Sequence, residues 1–123
     1  MREADTTRRE QAREPEDITA LFVERASAGD ADGLAALYEP EAVLAYPPGS
    51  EVRGHAAILA ACRQLVAAGV RFAAEEPLPT VRLGDLALTS TRAADGTGGR
   101  VQVVRRQADG SWLRIIDRPE LPA

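Results

Sequence analysis

The chain has 123 residues, 45% of them apolar and 28% charged, and a formal net charge of −4. That composition describes one soluble domain with a modest core, and it excludes a membrane span and an electrostatic case for nucleic acid. All fifteen basic residues are Arg, and His55 and Cys62 are the single residues of their kinds, which excludes Schiff-base lysine chemistry, a phosphate-loop lysine, an intrachain disulfide and a His/Cys metal cluster within one chain. No cofactor and no metal are expected, nor a nucleic-acid or membrane partner. The N-terminus lacks the apolar core of a signal peptide, so the expected location is cytoplasmic.

Residues 1–14, MREADTTRREQARE, carry four Arg and four acids and almost nothing apolar. Too little surface can be buried there to offset ordering entropy, so a disordered or frayed segment is expected. Pro15 suits the first turn of a helix, and Ile18, Leu21, Phe22 and Ala26 recur at helical spacing until Gly29. A second short helix is expected with Asp32 as cap, Leu34, Leu37 and Tyr38 as its apolar stripe, and Pro40 as its end. Ala42 to Tyr46 reads as a strand, Pro47 to Ser50 as a turn and Glu51 to Arg53 as a short return strand. A third helix runs from about His55 to Ala68, with Ile58, Leu59, Cys62, Leu65 and Val66 as its buried stripe and Gly69 as its stop.

Val70 to Glu76 alternates as a strand does, and Pro77 and Pro79 interrupt it. Thr80 to Leu83 resumes a strand, Gly84-Asp85 turns, and Leu86 to Ala93 follows, with Thr89 and Thr91 sharing one of its faces. Gly96 to Gly99 breaks the spacing of a dinucleotide-binding loop and reads as a hairpin loop. The last hairpin, Arg100 to Arg118, is centred on Asp109-Gly110, a signature of a two-residue type I′ turn. Counting outward sets Arg106 opposite Leu113, Val104 opposite Ile115 and Gln102 opposite Asp117. One face then carries Gln102, Val104, Arg106, Leu113, Ile115 and Asp117, and the other Val101, Val103, Trp112, Arg114 and Ile116. Helices and strands are segregated, which implies an α+β domain.

Four stretches, ASAGD at Ala26–Asp30, LYEPEAVLAYPPG at Leu37–Gly49, RGHAAI at Arg53–Ile58 and DGSWLRIIDRP at Asp109–Pro119, resemble the SnoaL-like and ketosteroid isomerase-like branch of the nuclear transport factor two-like superfamily. The resemblance covers residues 15–119, leaving 120–123 as a tail. It implies a cone-shaped fold, with three N-terminal helices packed in a curved antiparallel sheet around a pocket. In the isomerase branch a tyrosine, an aspartate base and a protonated aspartic acid carry the chemistry. The positions that match them hold Phe22, Tyr46 and Gln102 here, so steroid isomerisation does not transfer. A phenol titrates near 10 when unperturbed and is a poor base at neutral pH.

Asp117, Gln102 and Tyr46 are therefore the candidate catalytic residues, converging at the inner end of the pocket. Phe22, Tyr38, Thr89, Thr91, Val104 and Ile115 are the candidate ligand contacts. A structural carboxylate is the competing reading of Asp117. His55 reads as an exposed helix opener and Trp112 as an outward packing or dimer residue. The expected function is a small-molecule-binding protein for an apolar metabolite, with cofactor-independent acid/base chemistry of isomerase, cyclase or hydrolase type as its enzymatic form. The alternative is a non-catalytic binding or assembly module acting through a homodimerising sheet face of Val101, Val103, Trp112 and Ile116.

Overall fold

The computed structural model describes residues 9–72, 75–96 and 98–122. Among these, α1 (Asp17–Ser27), α2 (Ala31–Ala35) and α3 (His55–Ala67) accompany seven strands: β1 (Tyr38–Leu44), β2 (Val52–Arg53), β3 (Glu76–Pro77), β4 (Val81–Leu83), β5 (Leu86–Arg92), β6 (Gly98–Arg106) and β7 (Trp112–Pro122). The sheet runs β2-β1-β7-β6-β5-β3, with β4 also on β5. It is antiparallel except where β1 lies parallel to β7. No helix of the described residues is long and apolar enough to cross a membrane.

The helices end as their glycines predict. After α1, Gly29 takes φ +71° and the Asp30 amide reaches back to the Arg25 carbonyl; after α3, Gly69 takes φ +68° and the Val70 amide reaches Leu65. Both are Schellman closures. The second spends Val70 on the helix end, so the expected strand at Val70 to Glu76 shortens to Glu76–Pro77; residues 73 and 74 lie outside the described residues. Asp30, not Asp32, caps α2 by accepting from the Gly33 amide at 3.0 Å. Tyr38 does not extend that helix. It opens β1, and Pro40 sits where the β1–β7 register shifts, a point at which a missing N–H breaks no ladder bond.

Of the segment expected to be disordered or frayed, residues 9–14 lie against the domain, and residues 1–8 lie outside the described residues. Ala12 is buried and its carbonyl accepts from the Trp112 amide. Arg9 forms a two-pronged pair with Asp30, 2.8 Å on each oxygen, and buried Arg25 donates to the Glu10 and Gly33 carbonyls. A side chain at Gly33 would strike the Asp30 carboxylate and Arg9, so glycine is what admits this clasp. Hydrogen bonding supplies what hydrophobicity could not.

The last hairpin departs from its expected register twice. Gly110 has φ +87°, but no residue other than glycine has positive φ among the described residues, so Asp109 cannot occupy a type I′ turn. The loop is instead Ala108-Asp109-Gly110, closed by Gln107 and Ser111, with Asp109 accepting from the Ser111 amide and hydroxyl. One extra loop residue sets Arg106 opposite Trp112, Arg105 opposite Leu113 and Val104 opposite Arg114. A bulge at Ile115 then restores the offset, setting Val103 opposite Ile116 and Gln102 opposite Asp117. The inner face of β7 therefore carries Trp112, Arg114 and Asp117, all buried. Trp112 and Arg114 are not outward residues, and Leu113 and Ile115 do not lie on the buried face.

The helical face of the sheet holds the core. Ile18 and Leu21 of α1, Leu34 of α2, Ile58 and Cys62 of α3 pack with Ala42, Leu44, Ala87, Val104 and Trp112. Each large apolar side chain buried there contributes about 1.5–3 kcal/mol. The opposite face is open. Strand pairing lines up Val81, Leu88, Val103, Ile116 and Val43 in one apolar row across β4, β5, β6, β7 and β1.

Candidate functional site

The polar groups that the core encloses come from the inner face of the same strands. Thr89, Gln102, Asp117 and Leu44 are aligned across β5, β6, β7 and β1, and all four are buried. Gln102 is 3% exposed and its Oε1 accepts from the Thr89 hydroxyl at 2.8 Å. Asp117, 2% exposed, accepts on Oδ2 from the Tyr38 phenol at 2.6 Å and from Arg114 Nη1 at 3.3 Å. Arg114, 4% exposed, also donates to the Tyr38 oxygen at 3.3 Å.

The bulge assembles this cluster. Residues three apart in a regular strand point to opposite faces. The extra residue at Ile115 brings Arg114 and Asp117 to the same face, and parallel pairing sets Tyr38 beside Arg114. The Arg114 guanidinium lies 4.9 Å from the centre of the Phe22 ring and 5.7 Å from that of Tyr38, within cation–π range.

Electrostatics keep both donors of the cluster, Tyr38 and Arg114, protonated. Burial, with the Asp117 charge adding to it, drives the Tyr38 phenol well above its ordinary range, so Tyr38 is a neutral donor. Burial alone lowers the Arg114 pKa, but Asp117 and Tyr38 outweigh it and the guanidinium stays charged. Cys62 faces the same charges from α3; burial first, then Asp117, raises its thiol to about 11. Among the described residues, two buried side-chain atoms have no hydrogen-bond partner: Asp117 Oδ1 and Arg114 Nε.

A second cluster lies further along the same strands. Thr91 donates to Glu75 at 2.6 Å, and Arg100, paired with Thr91 across β5 and β6, holds both Glu75 oxygens at 3.1 Å and the Pro119 carbonyl at 3.2 Å. Arg100 also sits over Phe72, which meets Phe22 edge to face at 5.2 Å. Arg114 and Arg100 thus flank the edge-to-face pair of Phe22 and Phe72.

Asp117, Gln102 and Val104 share the buried face that sequence reasoning assigns them; Thr89 and Thr91, whose face the sequence left open, are buried with them, and Phe22 touches the cluster through Arg114. Tyr46 does not join them. It is half-buried against the core edge and makes no hydrogen bond to Gln102 or Asp117 among the described residues, and Tyr38 is the phenol on Asp117. Ile115 forms the bulge rather than a contact. Arg114, Glu75 and Arg100 escape sequence reasoning. The one signal for Arg114 is a lone cation inside the apolar run Trp112 to Ile116. No group of His, Cys, Asp and Glu suited to a metal occurs among the described residues.

The profile of the SnoaL-like domain matches residues 19–117. Solved structures share the fold. An Erwinia carotovora atroseptica ketosteroid isomerase-like protein superposes with a TM-score of 0.65 at 18% identity, covering 84% of this chain and 89% of its own. A Novosphingobium aromaticivorans nuclear transport factor two-like protein with a cystatin-like fold gives 0.60 at 23% identity, covering 83% and 75%. A Thiobacillus denitrificans protein assigned as a calcium/calmodulin-dependent protein kinase type II association domain gives 0.73 at 20% identity, covering 92% and 100%. No curated protein matches the chain.

Proposed function

Because this chain belongs to the SnoaL-like domain family, whose fold supports ligand-binding and isomerase-type proteins, we propose that it binds a small, largely apolar molecule on the inner face of its sheet. The observation that carries the proposal is the buried polar row of Thr89, Gln102 and Asp117 on that face, where two side-chain atoms of the ion pair, Asp117 Oδ1 and Arg114 Nε, have no hydrogen-bond partner among the described residues. Buried polar groups are rarely left unpaired, and each costs about 1–3 kcal/mol while it is. Apolar walls from Phe22, Leu44 and Val104 surround a few fixed polar groups, the usual make-up of a small-molecule site.

The polar groups suit orientation better than proton abstraction. Tyr38 is locked as a donor, Asp117 is already engaged on one oxygen by two donors, and Gln102 carries no charge. Any acid/base step falls to Asp117 Oδ1, which has no hydrogen-bond partner among the described residues. A Δ5-3-ketosteroid is expected to show no conversion above background, since Phe22, Tyr46 and Gln102 replace the isomerase groups. The test of binding is a nuclear magnetic resonance titration with a mixture of small aromatic metabolites. Shifts at Phe22, Cys62 and Thr89 support an inner site. Shifts confined to the outer sheet face overturn it.

The outer row supports a second role, self-association. Leu88 and Ile116 are exposed beside Val103, and Val81 and Leu83 extend the apolar surface on β4. Soluble monomers seldom leave such a continuous patch uncovered. A homodimer pairing this face with its copy covers the row without touching the inner site, and Trp112, now buried, takes no part.

A further inference from the structure

We propose that the inner face of the sheet opens at the end where Arg100 holds Glu75, and that this ion pair is the latch of the opening. That a ligand enters there rests on the inner-face reading above; the opening itself does not. Burial along the strands gives the direction. On the inner face Ala87, Thr89 and Thr91 of β5 pair in turn with Val104, Gln102 and Arg100 of β6. Val104 is 0% exposed and Gln102 3%, whereas the Arg100 side chain is 34% exposed. The Val104 end is sealed. Ala12, Leu34, Leu37 and Trp112 are all buried there, and the strap accepts the Trp112 amide on the Ala12 carbonyl. A molecule could pass that end only by unseating the core. At the Arg100 end the surrounding groups, Phe72, Glu75 and Pro119, are half-buried.

Side chains, not strand pairing, close that end. Arg100 Nε donates to both Glu75 oxygens at 3.1 Å, and its Nη1 donates to the Pro119 carbonyl at 3.2 Å. The guanidinium also lies 5.7 Å from the centre of the Phe72 ring. Arg100 therefore ties β6 to β7 and to the residues that follow α3. Phe72 and Glu75 precede the first ladder residue of β3, Glu76, and follow the helix closure at Val70. Backbone outside a ladder, held by a few side-chain bonds, belongs to the low-stability part of a fold. Phe72 meets Phe22 edge to face at 5.2 Å, and Phe22 carries Arg114 on its ring. The two rings thus stand between the half-exposed latch and the buried ion pair. Releasing Arg100 frees Glu75 and Phe72 together, and moving Phe72 off Phe22 uncovers the inner face.

Cys62 reports the opening without any ligand. It is the single thiol of the chain, is 1% exposed, and faces the Arg114 and Asp117 charges from α3. A dithiodipyridine reagent therefore labels the full chain only while Cys62 is uncovered. The rate is measured in urea well below the unfolding transition, where a local opening gives a flat rate and global unfolding a rising one. A flat rate is expected, about fivefold or more faster in Arg100→Gln and in Glu75→Gln. It should rise with salt in the wild type and lose that dependence in both variants, because salt screens a half-exposed ion pair. Arg9→Gln, which cuts the clasp on Asp30 at the strap, should leave the rate unchanged. Glu75→Gln keeps the shape of the side chain and decides the matter if Arg100→Gln fails to fold. A rate that climbs with urea from the lowest concentration means that Cys62 is reached only by unfolding, and the latch is refuted. A faster rate in Arg9→Gln with none in Glu75→Gln puts the opening at the strap and refutes it too. Either failure leaves the inner site to its own titration, and an inner site refuted by that titration leaves the opening as the labelling finds it.

Discussion

Asp117 shows how much a single buried charge depends on its neighbours. Its Oδ2 takes two donors, and removing its charge strands the Arg114 guanidinium in the core. Breaking a buried ion pair from one side costs about 3–5 kcal/mol, a large share of the stability of a domain this size. Asp117→Asn is therefore expected to lower the urea midpoint sharply. The double variant Arg114→Met/Asp117→Leu should recover most of the loss, because an apolar pair needs no counter-charge. Cys62 offers a gentler reading of the same environment. With its thiol at about 11, only about a thousandth is thiolate near pH 8. A disulfide reagent should react with the native protein far more slowly than with the urea-unfolded chain, and equal rates would show the site to be open to solvent.

Among elements, the N-terminal strap and the last hairpin decide most. The strap docks through Ala12, through the Arg9–Asp30 pair and through Arg25 on the Glu10 carbonyl. A chain starting at Pro15 is expected to melt several degrees below one starting at Arg9, which scanning calorimetry measures. Part of that gap depends on pH. Arg9 holds the Asp30 carboxyl below its usual range, with the Gly33 amide adding to the effect. The folded value lies below the unfolded one, so this contribution is complete above the unfolded carboxylate range and is lost as pH falls through the folded value. The gap between the two chains should narrow on acidification from about pH 6 to about pH 2; a gap that widened would mean the clasp is not what holds the strap.

The whole molecule divides its labour between two sheet faces. The inner face buries the polar row and the helices; the outer carries the apolar row from Val81 to Val43. Val103 lies half-buried at the centre of that row, on the face turned away from the core. Val103→Asp is expected to leave the fold intact and to convert a dimer into a monomer in sedimentation at micromolar concentration. A wild-type monomer under the same conditions would remove the case for self-association through this face.

Period and punctuation made much of this legible in the sequence. Gly29 and Gly69 end α1 and α3 because positive φ is a local property, and Ile58 and Cys62 face inward because helical spacing puts them there. Gln102 stands opposite Asp117 as counted, yet only because two departures cancel: a three-residue loop moves the register by one and the bulge at Ile115 moves it back. A bulge has no local signature. It forms because packing of the whole sheet rewards it, and here it turns Trp112 and Arg114 inward beside Asp117. Tyr38, near in sequence to α2, becomes the partner of Asp117 only through parallel pairing of β1 with β7. The strap likewise looked too polar to dock, because its order comes from carbonyls and arginines whose partners lie across the fold. Local backbone rules can be read along a chain, whereas a buried polar cluster is a solution to desolvation that exists only once distant strands have met.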